Sequence, residues 1–127
     1  MINPELFIVV DDDPVNNMLC ECILKTTFQG KKIKLFTDPA QALEYIKHET
    51  GNTKVLLLLD INMPEMTGWE FLDVFATYPT ELRENYQILI LTSSVDTKDK
   101  ELAATSPLVK GFLSKPLERE ELKKFIK

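Results

Sequence analysis

The chain has 127 residues, 44% hydrophobic and 28% charged, which suits one globular domain with a sizeable core and excludes a disordered chain. Fifteen basic against twenty acidic residues leave a net charge of −5, which argues against nucleic acid as a partner, since phosphate backbones attract basic faces. The longest apolar runs, such as 55–59, are far too short to cross a bilayer, and the opening MINPELFIVV lacks the basic region of a secretory signal; no membrane association and a reducing, cytoplasmic setting are expected.

The first apolar run, 6–10, is rich in β-branched residues and predicts a strand. Pro14 suits a helix start, and Val15, Leu19, Cys22 and Ile23 recur at helical spacing, so a helix burying that stripe and stopping at Gly30 is expected. Cys20 and Cys22 lie two apart on it and point in different directions, so neither a shared metal nor a disulfide is expected. Residues 32–37 alternate polar and apolar like an edge strand. Asp38 as cap and Pro39 in the first turn open a second helix, ended by Gly51, with His48 on its polar surface. Residues 55–59 are apolar throughout, as in a strand buried on both faces, and so are 88–91 within a strand over 86–93. Between them a helix over 68–78 turns Phe71, Leu72 and Phe75 inward, with an extra turn within 77–86. A polar helix over 96–105 has Leu102 and Ala103 as its few anchors and should be the least firmly held. A strand over 109–114 and a helix over 117–126, with Leu122, Phe125 and Ile126 at i, i+3 and i+4, complete the pattern.

This is a (βα)5 alternation in a single domain over 1–127, which predicts the α/β class: a doubly wound, five-stranded parallel sheet with helices on both faces and the strands 55–59 and 88–91 in its interior. In such sheets ligands bind beyond the carboxyl ends of the strands. Chemistry does collect there. The strand ends carry Asp11-Asp12-Asp13, Asp60, Thr92-Ser93-Ser94 and Ser114-Lys115-Pro116. Clustered, partly buried carboxylates repel one another and call for a cation, and oxygen ligands favour Mg²⁺, Mn²⁺ or Ca²⁺ over zinc. Lysine adds a point charge and threonine a hydrogen-bond donor. A carboxylate nucleophile, a divalent ion, Lys and Thr together serve phosphoryl transfer through an aspartyl phosphate, and Asp60 stands at a rigid strand tip beside the metal. Taken singly the residues have plainer roles: Asp12 or Asp13 as cap of the helix at Pro14, Thr92 as a turn residue, Lys115 as a solvated charge.

The stretches VVDDDPVNN, LLLLDINMPEMTGWEFL, ILILTSS and GFLSKPL, in this order along the whole chain, resemble the response-regulator receiver domain, the CheY-like fold of two-component signalling. The resemblance implies a flavodoxin-like strand order 2-1-3-4-5. It implies Asp60 as phosphoacceptor, Asp12 as a direct Mg²⁺ ligand (Mn²⁺ as substitute), Asp11 as a ligand through water, and the backbone carbonyl of Asn62 as a further one. It also implies Lys115 paired with a phosphoryl oxygen, a cis Lys115–Pro116 bond, Thr92 swinging toward the phosphoryl group, and Phe112 as the inward-turning switch aromatic. Asp13 falls outside the acid pair, and Asn16 is a common match without diagnostic weight. The chain departs from the pattern at Ser93, where alanine is frequent, at Leu108-Val109, where a small pair is frequent, and at Phe112, which lacks the hydroxyl of the commoner Tyr. Asn62 and Ser94 occupy the variable positions that tune phosphoryl lifetime.

On this resemblance a histidine kinase or histidine phosphotransfer protein supplies the phosphoryl group. The domain is not a conventional enzyme; it catalyses its own phosphorylation and slow dephosphorylation. Helix 96–105, strand 109–114 and the last helix form the output face toward an unknown downstream protein, and a stand-alone regulator acting by protein contact is expected. Two other readings remain. DDDPV fits the D-x-D-x-[TV] motif of haloacid-dehalogenase-type phosphatases, with Asp11 as nucleophile and Asp13 as acid/base, although strand five ends in Lys-Pro where that family needs a late acidic pair. A degenerate receiver, binding partners without phosphorylation, is the other.

Overall fold

The computed structural model describes residues 3–49, 51–94 and 96–126. Strands β1 (Leu6–Val10), β2 (Lys32–Phe36), β3 (Val55–Leu59), β4 (Tyr86–Thr92) and β5 (Val109–Ser114) form one parallel sheet in the order β2-β1-β3-β4-β5. Helices α1 (Pro14–Thr27), α2 (Pro39–His48), α3 (Gly68–Phe75), α4 (Thr80–Arg83), α5 (Thr97–Thr105) and α6 (Arg119–Lys123) occupy the connections. The doubly wound α/β architecture and the 2-1-3-4-5 order are those expected. The apolar run 55–59 is the central strand and 88–91 lies in its inner neighbour. No helix of the described residues is long and apolar enough to cross a membrane.

Because side chains alternate along a strand, an all-apolar strand feeds two cores at once. Val55, Leu57 and Leu59 join Ile8, Val10, Ile88 and Ile90 on one face, beneath Ala42, Leu43 and Ile46 of α2 and Phe71, Leu72 and Phe75 of α3. Leu56 and Leu58 join Phe7, Val9, Leu89 and Leu91 on the other, beneath Cys20 and Leu24 of α1 and Leu122 of α6. Each such side chain contributes about 1.5–3 kcal/mol, so the middle of the sheet is the rigid part of the molecule.

The first helix departs from its hydrophobic pattern. Val15 and Leu19 are 61% and 53% exposed and Cys22 is exposed; Ile23 is half-buried, and the buried positions are Asn16, Asn17, Cys20 and Leu24. Polar anchors set this rotation. The Asn17 amide donates to the carbonyls of Asp11 and Phe36 at 3.1 and 3.3 Å, and Asn16 donates to the Asp11 carboxylate. Buried polar groups must be paired, and turning the Val15–Leu19 stripe inward would take the Asn17 donor from the Asp11 carbonyl and the Asn16 donor from the Asp11 carboxylate.

Other boundaries shift for local reasons. The helix expected over 68–78 ends at Phe75, and the extra turn is the separate α4, because Pro79 cannot continue a helix and instead precedes the new one. The last helix covers only Arg119–Lys123; Phe125 and Ile126 follow it yet still pack, Ile126 in the core and Phe125 over Gly111. The second helix ends at His48 with Glu49 as C-cap, ahead of Gly51, and Thr50 lies outside the described residues. His48 is exposed, as expected. Leu102, expected as an anchor of α5, is 48% exposed, which leaves Ala103 as the buried residue of that helix.

The rotation of α1 is checked by a pair of truncations. Leu24→Ala should lower stability by about 2–5 kcal/mol in urea denaturation, whereas Leu19→Ala should stay within about 0.5 kcal/mol of the parent; equal losses would return Leu19 to the core.

Candidate functional site

Register places the acids. Val10 pairs with Leu59, so the next residues, Asp11 and Asp60, leave neighbouring strands side by side. Their backbones are still pinned, the Asp60 amide donating to Val10 O and the Asp11 amide to Phe36 O, each at 3.0 Å. On the other side of β3, Thr92 pairs with Ser114, and the Lys115 amide donates to Thr92 O at 2.9 Å. Lys115 thus enters from β5, through a cis bond to Pro116, and reaches across the rim. Its Nζ lies 2.6 Å from Asp11 Oδ2 and 3.5 Å from Asp60 Oδ1.

Asp11 is buried and fully engaged. Its Oδ1 accepts from the Asp13 amide at 2.9 Å, and its Oδ2 accepts from Asn16 Nδ2 at 2.7 Å as well as from Lys115. Asp60, 5% exposed, is held less well. Burial, reinforced by the Asp11 charge, pushes its pKa from 3.8 up to about 6, against the partial relief of Lys115 and the Ile61 amide. Burial disfavours the Lys115 charge, but its hydrogen bond to Asp11 and the field of both carboxylates outweigh that and raise its pKa. The Cys20 thiol beneath the site is pushed up to about 12 by burial and the Asp11 charge, so it is no nucleophile at neutral pH.

The donor set suits a hard divalent cation. Asp11, Asp12 and Asp60 each present an oxygen, all within 4.8 Å of one another, with Asp12 exposed and the other two buried. One lysine against three carboxylates leaves excess negative charge, which a doubly charged, oxygen-seeking ion would offset. Asn62 is exposed, and no backbone amide among the described residues donates to its carbonyl. Beside Asp12 a cavity of about 160 Å³ opens between Thr37, Met63 and Pro64.

The other residues singled out in the sequence occupy different settings. Thr92 is buried at 1% exposure, and its Oγ1 accepts from the Ser94 amide at 3.1 Å. Phe112, opposite Ile90, is half-buried against the core beneath α2 and α3. Asp13 stands apart from the acid group and caps α1 by accepting from the Val15 amide at 2.9 Å. Two residues of the site had not been singled out for a role. Asn16 orients Asp11, and its signal is a poor helix former kept beside another inside a first turn. Gly68 opens α3, and its amide donates to Ile61 O at 2.8 Å. A Cβ there would come within 2.6 Å of the Asp60 carbonyl, so only glycine lets the 61–67 loop fold back onto the end of β3.

The sequence model of the response regulator receiver domain matches residues 7–127. A probable methanogenesis regulatory protein, FilR2, of Methanothrix harundinacea is 30% identical over 98% of this chain and 80% of its own length. Hybrid signal transduction histidine kinase L of Dictyostelium discoideum is 28% identical over 94% of this chain, which spans 7% of that protein. Among solved structures, a response regulator receiver protein from Dyadobacter fermentans superposes with a TM-score of 0.84 at 28% identity, covering 96% of this chain and 98% of that one. The receiver domain of sensor histidine kinase PA1611 from Pseudomonas aeruginosa, whose structure has a magnesium ion coordinated in its active site cleft, shares the fold with a TM-score of 0.76 at 23% identity, over 96% of this chain and 93% of that one.

The repulsion at the site has a measurable sign. With a folded pKa of about 6 against an ordinary 3.8, folded Asp60 keeps a proton that the unfolded chain has released. Its contribution to stability is therefore present below about pH 4 and lost as pH rises through about 6. Asp60→Asn should accordingly stabilise the protein in divalent-free buffer near neutral pH, by about 1–3 kcal/mol. In urea titrations the gain should shrink toward zero near pH 4; a gain independent of pH would contradict this account of the site.

Proposed function

The chain belongs to the response-regulator receiver-domain family of two-component signalling, and from that premise we propose that it is a phosphoacceptor switch carrying the phosphoryl group on Asp60. The observation that carries this reading is the contrast between the two buried carboxylates. Both oxygens of Asp11 are taken up by Asp13, Asn16 and Lys115, whereas Asp60 is raised in pKa and has Lys115 no closer than 3.5 Å. A poorly satisfied carboxylate at a rigid strand tip is the better nucleophile of the two.

Asp12 and Asp60 would hold Mg²⁺ directly (Mn²⁺ as substitute), with Asp11 through water and the Asn62 carbonyl completing the protein's share. When bound, the ion would neutralise charge shared between the acceptor carboxylate and the phosphoryl oxygens. The Asp60 oxygen attacks phosphorus, the P–N bond of the donor's phosphohistidine breaks, and the electron pair leaves with the imidazole, which takes up a proton. Lys115 then pairs with a phosphoryl oxygen, as it pairs with Asp60 in the free protein. Slow hydrolysis reverses the ester: water attacks phosphorus and the acyl-phosphate P–O bond breaks, regenerating the carboxylate. Thr92 and Lys115 make the contacts that differ between the two states, and only such differential contacts shift the equilibrium. Phe112, lacking a hydroxyl, would respond by packing alone.

A histidine kinase or histidine phosphotransfer protein is the proposed donor. The exposed Val15, Met18 and Leu19 on the first turns of α1, directly after the acid cluster, give such a protein an apolar contact beside Asp60. The face formed by α5, β5 and α6 is the proposed output surface toward a downstream protein, and a cytoplasmic setting follows from that partnership. The phosphatase reading requires Asp11 as nucleophile and Asp13 as acid, but both Asp11 oxygens already accept hydrogen bonds and Asp13 serves as a helix cap. A degenerate receiver would not need the Asp60–Lys115–Thr92 constellation.

Incubation with Mg²⁺ and acetyl phosphate, followed by mass mapping, should place one phosphoryl group on Asp60. Asp60→Asn should abolish it, and Lys115→Met should slow labelling by about 10²-fold or more. Labelling at Asp11 would favour the phosphatase, and no labelling under any condition the degenerate module.

A further inference from the structure

A line of hydrogen bonds leads from the site to the surface helix α5. Thr92 Oγ1 accepts from the Ser94 amide at 3.1 Å, Ser94 Oγ donates to Asp99 Oδ2 at 2.8 Å, and Trp69 Nε1 of α3 donates to Asp99 Oδ1 at 3.0 Å. Asp99 sits in the first turn of α5, so its carboxylate ties that helix on one side to the turn after β4 and on the other to α3. Apart from its packing on β5, α5 has few apolar anchors. Ala103 is its buried residue and Leu102 is 48% exposed. Hydrogen bonds to a carboxylate are roughly twice as strong as neutral ones, so those to the half-buried Asp99 weigh heavily in placing the first turn of the helix.

Resting on the phosphoacceptor reading, we infer that Asp99 is a clasp holding α5 in the unphosphorylated position, and that Thr92 opens it. The buried Thr92 hydroxyl cannot keep its bond to the Ser94 amide and also turn toward a phosphoryl group on Asp60. Once it turns, the Ser94 amide loses its acceptor, the turn relaxes, Ser94 withdraws from Asp99, and the Asp99 carboxylate is left with its bond to Trp69 alone, the helix still packing on β5. A site event is thereby converted into release of one edge of the proposed output face by a polar route, which suits a chain whose switch aromatic is the hydroxyl-free Phe112.

Trp69 is the sole tryptophan, so its emission reports the clasp directly. The test compares wild type, Asp99→Ala, Thr92→Val and the double variant, first without any phosphodonor, by amide exchange across 97–105 and by Trp69 emission. Each single variant should speed exchange in 97–105 about fivefold or more, leave β1 and β3 unchanged and shift the emission. The double variant should exceed the larger single effect by little, because both changes cut one chain. Asp99→Ala also removes a helpful charge from a helix start, so Thr92→Val, which leaves the helix intact, is decisive: wild-type exchange and emission in that variant would overturn the clasp. Mg²⁺ and acetyl phosphate should then bring wild-type exchange in 97–105 to the level of Asp99→Ala. A phosphoryl adduct on Asp60 with α5 and Trp69 unchanged would also overturn the clasp. Faster exchange in Thr92→Val with no adduct on any protein would support the clasp and overturn the phosphoacceptor reading instead.

Discussion

Two carboxylates that repel each other, Asp11 and Asp60, are held within 4.8 Å at the ends of adjacent strands, and the rest of the molecule is organised around keeping them there. Neither can retreat, because the residues before them are fully buried in the two strands with the most completely apolar sequences. Lys115 offsets part of the repulsion from a third strand, and Asn16 and the Asp13 amide satisfy Asp11 so completely that the remaining strain falls on Asp60. Stability gained through apolar burial in the sheet is thus held in reserve at its rim, a common arrangement where a reactive group must be kept in an unfavourable environment.

The molecule divides by the kind of force that holds each part. The interior strands and the helices α2 and α3 are fixed by apolar contact, which is insensitive to small changes of charge. The helices α1 and α5 add to their apolar packing polar side chains at their first turns, Asn16 and Asn17 in one and Asp99 in the other. Polar anchoring is directional, so it can set an orientation against the hydrophobic pattern, as in α1, and it can be released by moving one partner, as proposed for α5. Rigid placement of Asp60 and polar, releasable anchoring of the helices beside it are therefore consistent with the proposed switch, whose chemistry must be exact at one end and whose surface must change at the other.

The same distinction explains what a linear reading could see. Alternation of apolar runs and capped helices is a local property, and from it the element order, the interior strands and the rim of polar residues were all legible. The strand order and the assignment of Asp60, Lys115 and Thr92 to roles came from resemblance to a family, since pairing between strands separated by a helix leaves no mark in spacing. Boundaries failed locally: Pro79 split a helix, and the last helix stopped short at Lys123, with Phe125 beyond it packing over Gly111.

Sequence alone determined which residues would be strands, and that four strands would end in acids, a threonine and a lysine, because burial on both faces demands uninterrupted apolar runs and a charge can stand only where such a run stops. Tertiary structure alone decided that α1 turns Val15 and Leu19 to solvent, that Asn16 and Gly68 lie at the site, and that Asp99 joins Trp69 to Ser94. Those outcomes depend on carbonyls, carboxylates and loops brought together from distant segments, and a hydrogen bond's partner is not written in the residue that makes it.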